Sequence, residues 1–289
     1  MKFSVPCTYP ARWPRRIAPS RFAATIRTDS PDGSRVALLG LPDDTGVRLN
    51  HGRPGARDGP AAFRSALAAY GAAQPGWPRV FDAGDVMPAR SLEATHDRVT
   101  AAAGALLEAG LVPVGIGGGH DLTFPFVRAV ADRFGPLAGI YFDAHLDVRE
   151  TRGSGMPFRK LIEECEVRTL DLHGFRPLVN SADHLAWFEA HGGHIRRAGS
   201  RPVLPKGRHL FASFDLDVMD AAFAPGVSAL NPCGWSPAEA EPWVRACGAD
   251  ARVRCFDLME LNPRHDADGR TARLAAHLFL CFLAGFAAR

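Results

Sequence analysis

The sequence predicts an α/β fold built on a buried parallel sheet, and two observations carry that reading. Five runs, at residues 36–41, 111–116, 138–142, 209–214 and 253–258, are dominated by apolar residues without polar alternation, as strands covered on both faces are. Helix-forming stretches at residues 60–72 and 92–110 lie between the first of them, the second rich in alanine and leucine. With 289 residues the chain is long enough for one large core.

Taken in order, residues 1–34 are rich in Arg, Pro and Ser, with no acid before Asp29. A transit peptide has that bias. The absence of an apolar or helical pattern argues instead for a loosely ordered N-terminal arm. Residues 35–289 read as one catalytic domain, with no linker, repeat or low-complexity block. Its first strand, residues 36–41, is closed by Gly40-Leu41-Pro42-Asp43-Asp44. Residues 272–288 are apolar enough to raise the question of a membrane span, but the stretch is short and contains His277. A buried C-terminal helix is the better reading, and no membrane partner is expected.

Composition excludes more than it selects. A net charge of +3 is too mild for a nucleic-acid partner, and lysine occurs only at Lys2, Lys160 and Lys206. The six cysteines, Cys7, Cys165, Cys233, Cys247, Cys255 and Cys281, have no CxxC spacing. They read as reduced, mostly buried thiols of a cytoplasmic protein. The glycine run Gly115-Ile116-Gly117-Gly118-Gly119 lacks the Gly-Lys-Ser/Thr ending of a phosphate loop and fits no GxGxxG register.

Three motifs carry the chemistry. Gly117-Gly118-Gly119-His120-Asp121, Asp143-Ala144-His145-Leu146-Asp147 and Ser213-Phe214-Asp215-Leu216-Asp217-Val218-Met219-Asp220 each end a predicted strand. In open α/β sheets the ligand crevice lies outside the carboxyl ends of the strands, so the three would converge. A single Asp-x-Asp at a strand end is usually a turn or helix cap, and a lone histidine is usually packed or solvated. Three such motifs in order are harder to dismiss. Clustered carboxylates are costly unless cations neutralise them, and two divalent ions would balance Asp143, Asp147, Asp215 and Asp217. An oxygen-rich set with one imidazole per ion suits manganese better than zinc.

Spacing constrains the arrangement. Asp215 and Asp217 are expected to share a face of one extended strand, and Asp143 and His145 to do the same. Asp147 would lie roughly 13 Å from Asp143 on a straight strand, so the chain must bend after His145. The glycines before His120 would permit a sharp turn and a close backbone approach. The remaining histidines, including His173, His184, His191, His194 and His209, are expected at the surface or behind the site.

These motifs resemble those of the ureohydrolase family (arginase, agmatinase, guanidinobutyrase and formimidoylglutamase) from about Gly46 to Ala276. The resemblance implies a three-layer α/β/α domain and six metal ligands, His120, Asp143, His145, Asp147, Asp215 and Asp217. It also implies two Mn²⁺ ions per subunit, a hydroxide between them as nucleophile, and a homo-oligomer. Glu260, in Met259-Glu260-Leu261-Asn262-Pro263, matches the family's carboxylate that stabilises the amidinium charge.

Within the family, Ser154 in Gly153-Ser154-Gly155-Met156-Pro157-Phe158-Arg159 stands where arginase-like branches carry histidine. A serine does not shuttle protons near neutral pH as imidazole does. The stretch is similar to that of formimidoylglutamases, as is Gly46-Val47-Arg48-Leu49-Asn50-His51-Gly52-Arg53-Pro54-Gly55. The activity implied is hydrolysis of N-formimino-L-glutamate to glutamate and formamide, a step of histidine catabolism. A guanidino-acid hydrolase releasing urea is the first alternative, and a non-catalytic metal-binding protein the second. A small substrate bearing carboxylates fits Arg149, Arg152 and Arg159, because guanidinium forks bind carboxylates bidentately. Arg149 is the first choice among them, and Asn50 is a further candidate contact.

Overall fold

A computed structural model describes residues 3–71, 76–196 and 201–289. Its strands are β1 (Thr8–Tyr9), β2 (Val36–Leu41), β3 (Val80–Val86), β4 (Val112–Gly117), β5 (Ala138–Phe142), β6 (Thr169–His173), β7 (Gly193–Arg196), β8 (Leu210–Asp215) and β9 (Val253–Met259). The α-helices are α1 (Thr45–Leu49), α2 (Gly59–Leu67), α3 (Leu92–Glu108), α4 (Thr123–Phe134), α5 (Pro157–Glu164), α6 (Ala182–Ala190), α7 (Pro237–Ala249) and α8 (Arg270–Phe286). The strands form one sheet in the order β1-β3-β2-β4-β9-β8-β5-β6-β7. Every strand pairing is parallel except β1 with β3.

Side-chain alternation on each strand divides the core into the two layers expected of a three-layer fold. On β2, Val36 and Leu38 pack with Phe63 of α2, Trp243 of α7 and Phe279 of α8. Ala37, Leu39 and Leu41 face the other way, toward Val99 of α3, Phe126 of α4, Phe158 of α5 and Phe188 of α6. Because both faces are covered, β2 has no exposed residue and no polar alternation. The expected C-terminal helix is α8, which stacks Phe282 on Phe256 of β9 at 4.7 Å. Among the described residues, no helix is long and apolar enough to cross a membrane.

Two expectations need correction. The helix expected at residues 60–72 ends at Leu67, and Ala72 lies outside the described residues. The chain leaves it because the Ala69 and Tyr70 carbonyls accept from Arg21 and Phe22 instead. The N-terminal arm is docked rather than loose, for the same reason. Thr8–Tyr9 adds an antiparallel edge to β3, and Phe22 packs between Trp77 and Phe279.

The arm also reaches a buried ion network. Trp13 Nε1 donates to Asp82 at 2.8 Å. Arg64 grips Asp82 through Nε and Nη2 at 2.8 and 2.9 Å and donates to Asp85 at 2.6 Å. Arg64 is only 2% exposed, so neither partner has water to fall back on. Arg64→Met would strand two buried carboxylates, and we expect a loss of about 3–5 kcal/mol. A urea midpoint equal to the parent's would show the network to be idle.

Candidate metal centre

The site lies at the carboxyl ends of β4, β5, β8 and β9, in the middle of the sheet. After β4 the glycine run carries the chain close under its neighbours; a Cβ on Gly118 would collide with the Leu41 and Asp43 carbonyls. His120 follows in a tight turn, its N–H donating to Glu260 Oε1 at 2.9 Å. Glu260 comes directly after β9 and holds a left-handed backbone, φ +66°.

The bend demanded of the second motif is present. β5 stops at Phe142, and Asp143 turns back on itself, accepting from His145 N–H at 2.6 Å. Tyr141 donates to the Leu146 carbonyl at 3.0 Å, and Asn180 brackets the loop with bonds to Leu146 N–H and the Ala144 carbonyl. Asp147 then adopts φ +48°, which brings it back beside Asp143. The expectation that Asp143 and His145 share a strand face was wrong, since both lie past the strand end. Asp215 and Asp217 likewise do not share one: β8 ends at Asp215 and Asp217 sits in the following 3-10 turn. A turn, unlike a strand, aims the two carboxylates at different histidines.

The six predicted ligands form two groups that share Asp143. The first is His120, Asp143, Asp147 and Asp215, and the second Asp143, His145 and Asp217. His120 Nδ1 lies 3.1, 2.9 and 3.0 Å from oxygens of Asp143, Asp147 and Asp215. His145 Nδ1 lies 3.2 Å from Asp143 and 3.0 Å from Asp217.

These donors fit divalent cations. One ring nitrogen carries at most one proton and cannot satisfy three carboxylates. The other face of His120 narrows the matter further. Ser213 Oγ gives its proton to Asp257 at 2.6 Å, so at 3.1 Å it accepts from His120 Nε2–H. In its neutral form His120 then turns a bare Nδ1 lone pair toward three carboxylates, and a divalent cation between them satisfies all three where a single Nδ1 proton does not. Asp143 Oδ2 and Asp217 Oδ1 are also buried without a hydrogen bond.

Electrostatics show the same crowding. Burial, with the Asp147 and Asp217 charges, pushes Asp143 up to about 6. Burial and the Asp217 charge push Asp215 well above the ordinary carboxylate range. Asp217 keeps His145 protonated far above its usual range, against the cost of burial. Burial raises Glu260 to about 8, against the pull of neighbouring Ser228 and the His120 N–H.

A cavity of about 590 Å³ opens over the cluster. His145, Asp147, Asp215, Asp217 and Glu260 form its floor, and Asn50, Arg149 and Ser154 line its wall. Ser154 is 6% exposed and accepts from Asn50 Nδ2 at 3.1 Å, while Asn50 Oδ1 accepts from Arg149. Arg152 and Arg159 are not in the cavity wall, which corrects two predicted contacts. Arg152 pairs with Glu93 at 2.7 Å. Arg159 pairs with Glu150 and Glu163 and lies over the Trp187 ring at 4.3 Å. Acidic partners nearby hold both away from the mouth.

Sequence reasoning missed several residues. His51, Asn180 and Ser228 line the cavity, as does His184, which was expected to stand at the surface or behind the site. Ser213 and Asp257 orient His120, and His96 bonds Asp121 at 3.0 Å behind it. Asp257 did leave a signal, as a lone acid inside an apolar strand. Its parallel register with Ser213 explains why it is there. His173, expected near the surface or behind the site, is buried against Trp243 at 4.1 Å.

A model of the Arginase family matches residues 34–285. The chain belongs to the arginase family. Among relatives of this arginase-family chain, the formimidoylglutamase of Aromatoleum aromaticum is 37% identical, over 92% of this chain and 86% of its own. The mitochondrial guanidino acid hydrolase of Homo sapiens is 30% identical, over 88% and 80%. Trypanosoma cruzi formiminoglutamase, in a crystal structure with Mn²⁺, superposes with a TM-score of 0.86 at 31% identity, covering 93% of this chain and 99% of that one.

Proposed function

We propose that the chain is a manganese-dependent formimidoylglutamase, hydrolysing N-formimino-L-glutamate to L-glutamate and formamide as part of histidine catabolism. The observation that carries the reading is the cavity wall. A buried Ser154, tied through Asn50 to Arg149, stands over a carboxylate-rich cluster. The relatives named formimidoylglutamase support the same assignment.

Each residue then has a task. His120, Asp143, Asp147 and Asp215 would hold one Mn²⁺, and Asp143, His145 and Asp217 the other. Two ions held there would supply an activated water and stabilisation of developing negative charge. Arg149 receives a substrate carboxylate at the mouth, where Gly155 leaves room for its stem. Ser154 and Asn50 position that guanidinium. Glu260 faces the substrate nitrogen; its buried Oε2 has no hydrogen-bond partner, and a cationic amidinium beside it favours the ionised carboxylate. The six free cysteines suit a reducing, cytoplasmic setting, and assembly as a homo-oligomer belongs to the same reading.

The test is a product assay of manganese-loaded protein with formiminoglutamate and, in parallel, arginine, agmatine and guanidinobutyrate. Glutamate and formamide are expected from the first alone. In that assay Arg149→Ala should raise KM about tenfold or more with a small change in kcat, since a charge-assisted bond is worth roughly 1.5–3 kcal/mol. An unchanged KM would remove Arg149 from the binding role. The second reading, a guanidino-acid hydrolase, is favoured by the human relative, because Arg149 suits the carboxylate of a guanidino acid equally. Urea release would establish it.

A further inference from the structure

A third group of metal-ligating side chains lies outside the cavity, where α7 packs on α8. Glu241 comes from α7, and His277 and Cys281 come from successive turns of α8. One donor atom from each lies within 4.8 Å of the other two. His277 Nε2 is 3.3 Å from Glu241 Oε2 and 3.5 Å from Cys281 Sγ.

Those two separations match the two edges that His277 would contribute to a tetrahedron around zinc, and the Glu241 and Cys281 donors lie within 4.8 Å of each other. With Zn–N and Zn–O bonds of about 2.0–2.1 Å and Zn–S of about 2.3 Å, tetrahedral angles place N and O about 3.3 Å apart and N and S about 3.5 Å apart. The two helices are held rigidly enough to keep that geometry. A Cβ on Gly248 would strike the Phe282 carbonyl, and one on Gly285 the Arg245 carbonyl, so the backbones already touch. Arg245 takes the other oxygen of Glu241 at 3.1 Å and leaves Oε2 toward the histidine. Cys281 is buried, whereas the side chains of Glu241 and His277 are 38% and 40% exposed. Water can therefore reach the fourth position.

We propose that Glu241, His277 and Cys281 form a zinc site, distinct from the carboxylate centre, that clamps α7 to α8 with water as the fourth ligand. The donor sets separate the two metals. Thiolate and imidazole select zinc, while the oxygen-rich cluster under the cavity suits manganese. Binding replaces the S–H bond with a Zn–S bond, and the thiol proton leaves to solvent.

The probe is Co²⁺, titrated into wild-type protein whose carboxylate centre is filled with Mn²⁺. No sulfur atom lies among the ligands of that centre, so a thiolate-to-cobalt charge-transfer band reports a cysteine site alone. We expect one equivalent to produce the band and Zn²⁺ to erase it. It should vanish in Cys281→Ala and in His277→Gln, and survive in Asp217→Asn. His277 is partly exposed, so His277→Gln keeps the test valid if Cys281→Ala does not fold. Manganese-dependent turnover of His277→Gln should equal wild type. Absence of the band in folded wild-type protein would overturn the proposal. So would its persistence in either variant, which would assign it to another thiol such as the exposed Cys233.

Discussion

Asp143→Ala should empty both halves of the carboxylate centre, whereas Asp217→Ala should empty one. Asp143 is the residue common to both ligand groups, while Asp217 belongs only to the second. Losing the shared carboxylate removes a donor from each group and leaves His120 and His145 facing fewer charges. Turnover in either variant should fall at least about a thousandfold, the equivalent of roughly 4 kcal/mol of transition-state stabilisation. Metal analysis of the purified variants separates the two cases. Near-zero manganese in Asp143→Ala and about half the parent content in Asp217→Ala is the expected pattern. Equal metal loss in both would mean that the halves do not bind independently. Wild-type turnover in a variant verified to lack metal would refute the two-ion mechanism.

Stripping the metal should make stability fall as pH rises, and manganese should reverse that slope. Without cations, burial raises Asp143 and Asp257 to about 6 and Glu260 to about 8, and raises Asp215 in the same direction. A carboxylate whose folded pKa is raised contributes stability below its unfolded value, near 4, and loses it as pH climbs to the folded one. The Asp215 charge, with the Asp143, Asp147 and Asp215 oxygens that face Nδ1 as acceptors, holds His120 protonated despite its burial, and Asp217 does so for His145. A histidine raised in this way also loses its contribution as pH rises. Asp217 is lowered by His145 against the cost of burial, but its opposite effect is complete below about pH 4. His173, lowered to about 4 by burial, works the other way up to about pH 6.5, so between pH 5 and 8 it is the contribution of the metal-free centre that weakens.

Manganese is expected to bind better over the same interval because the donors that would hold it are deprotonated. At about a thousand times Kd it would add about 4 kcal/mol, or a Tm gain of roughly 7 °C for a chain of this size. Calorimetry of chelated and manganese-loaded protein at pH 5.5 and 8 should show the gap widening with pH. A constant gap would mean that the carboxylates are not titrating against the ion.

The six clustered donors were readable because their signal is local. An apolar strand that ends in aspartate and histidine puts carboxylates at the sheet's crevice whatever the rest of the chain does. The bend between Asp143 and Asp147 followed from strand rise alone, and the structure provides it through φ +48° at Asp147. The pairing of Asp215 with His120 and of Asp217 with His145 was not readable. It depends on β8 ending at Asp215, two residues earlier than a shared strand face would require. The arginines failed for a related reason. Arg149, Arg152 and Arg159 are alike in sequence, and only the positions of Glu93, Glu150 and Glu163 decide which of them is free to face the cavity.

By itself the sequence determined the buried parallel strands, the six donors and the serine where arginase-like relatives carry histidine, since each is written in adjacent residues. Tertiary structure alone decided that Asp143 is shared, that Ser213 and Asp257 fix the His120 tautomer, and that the N-terminal arm docks on Asp82. Those contacts join residues far apart in the chain. Strand order and helix packing set their distances, and no local pattern encodes either.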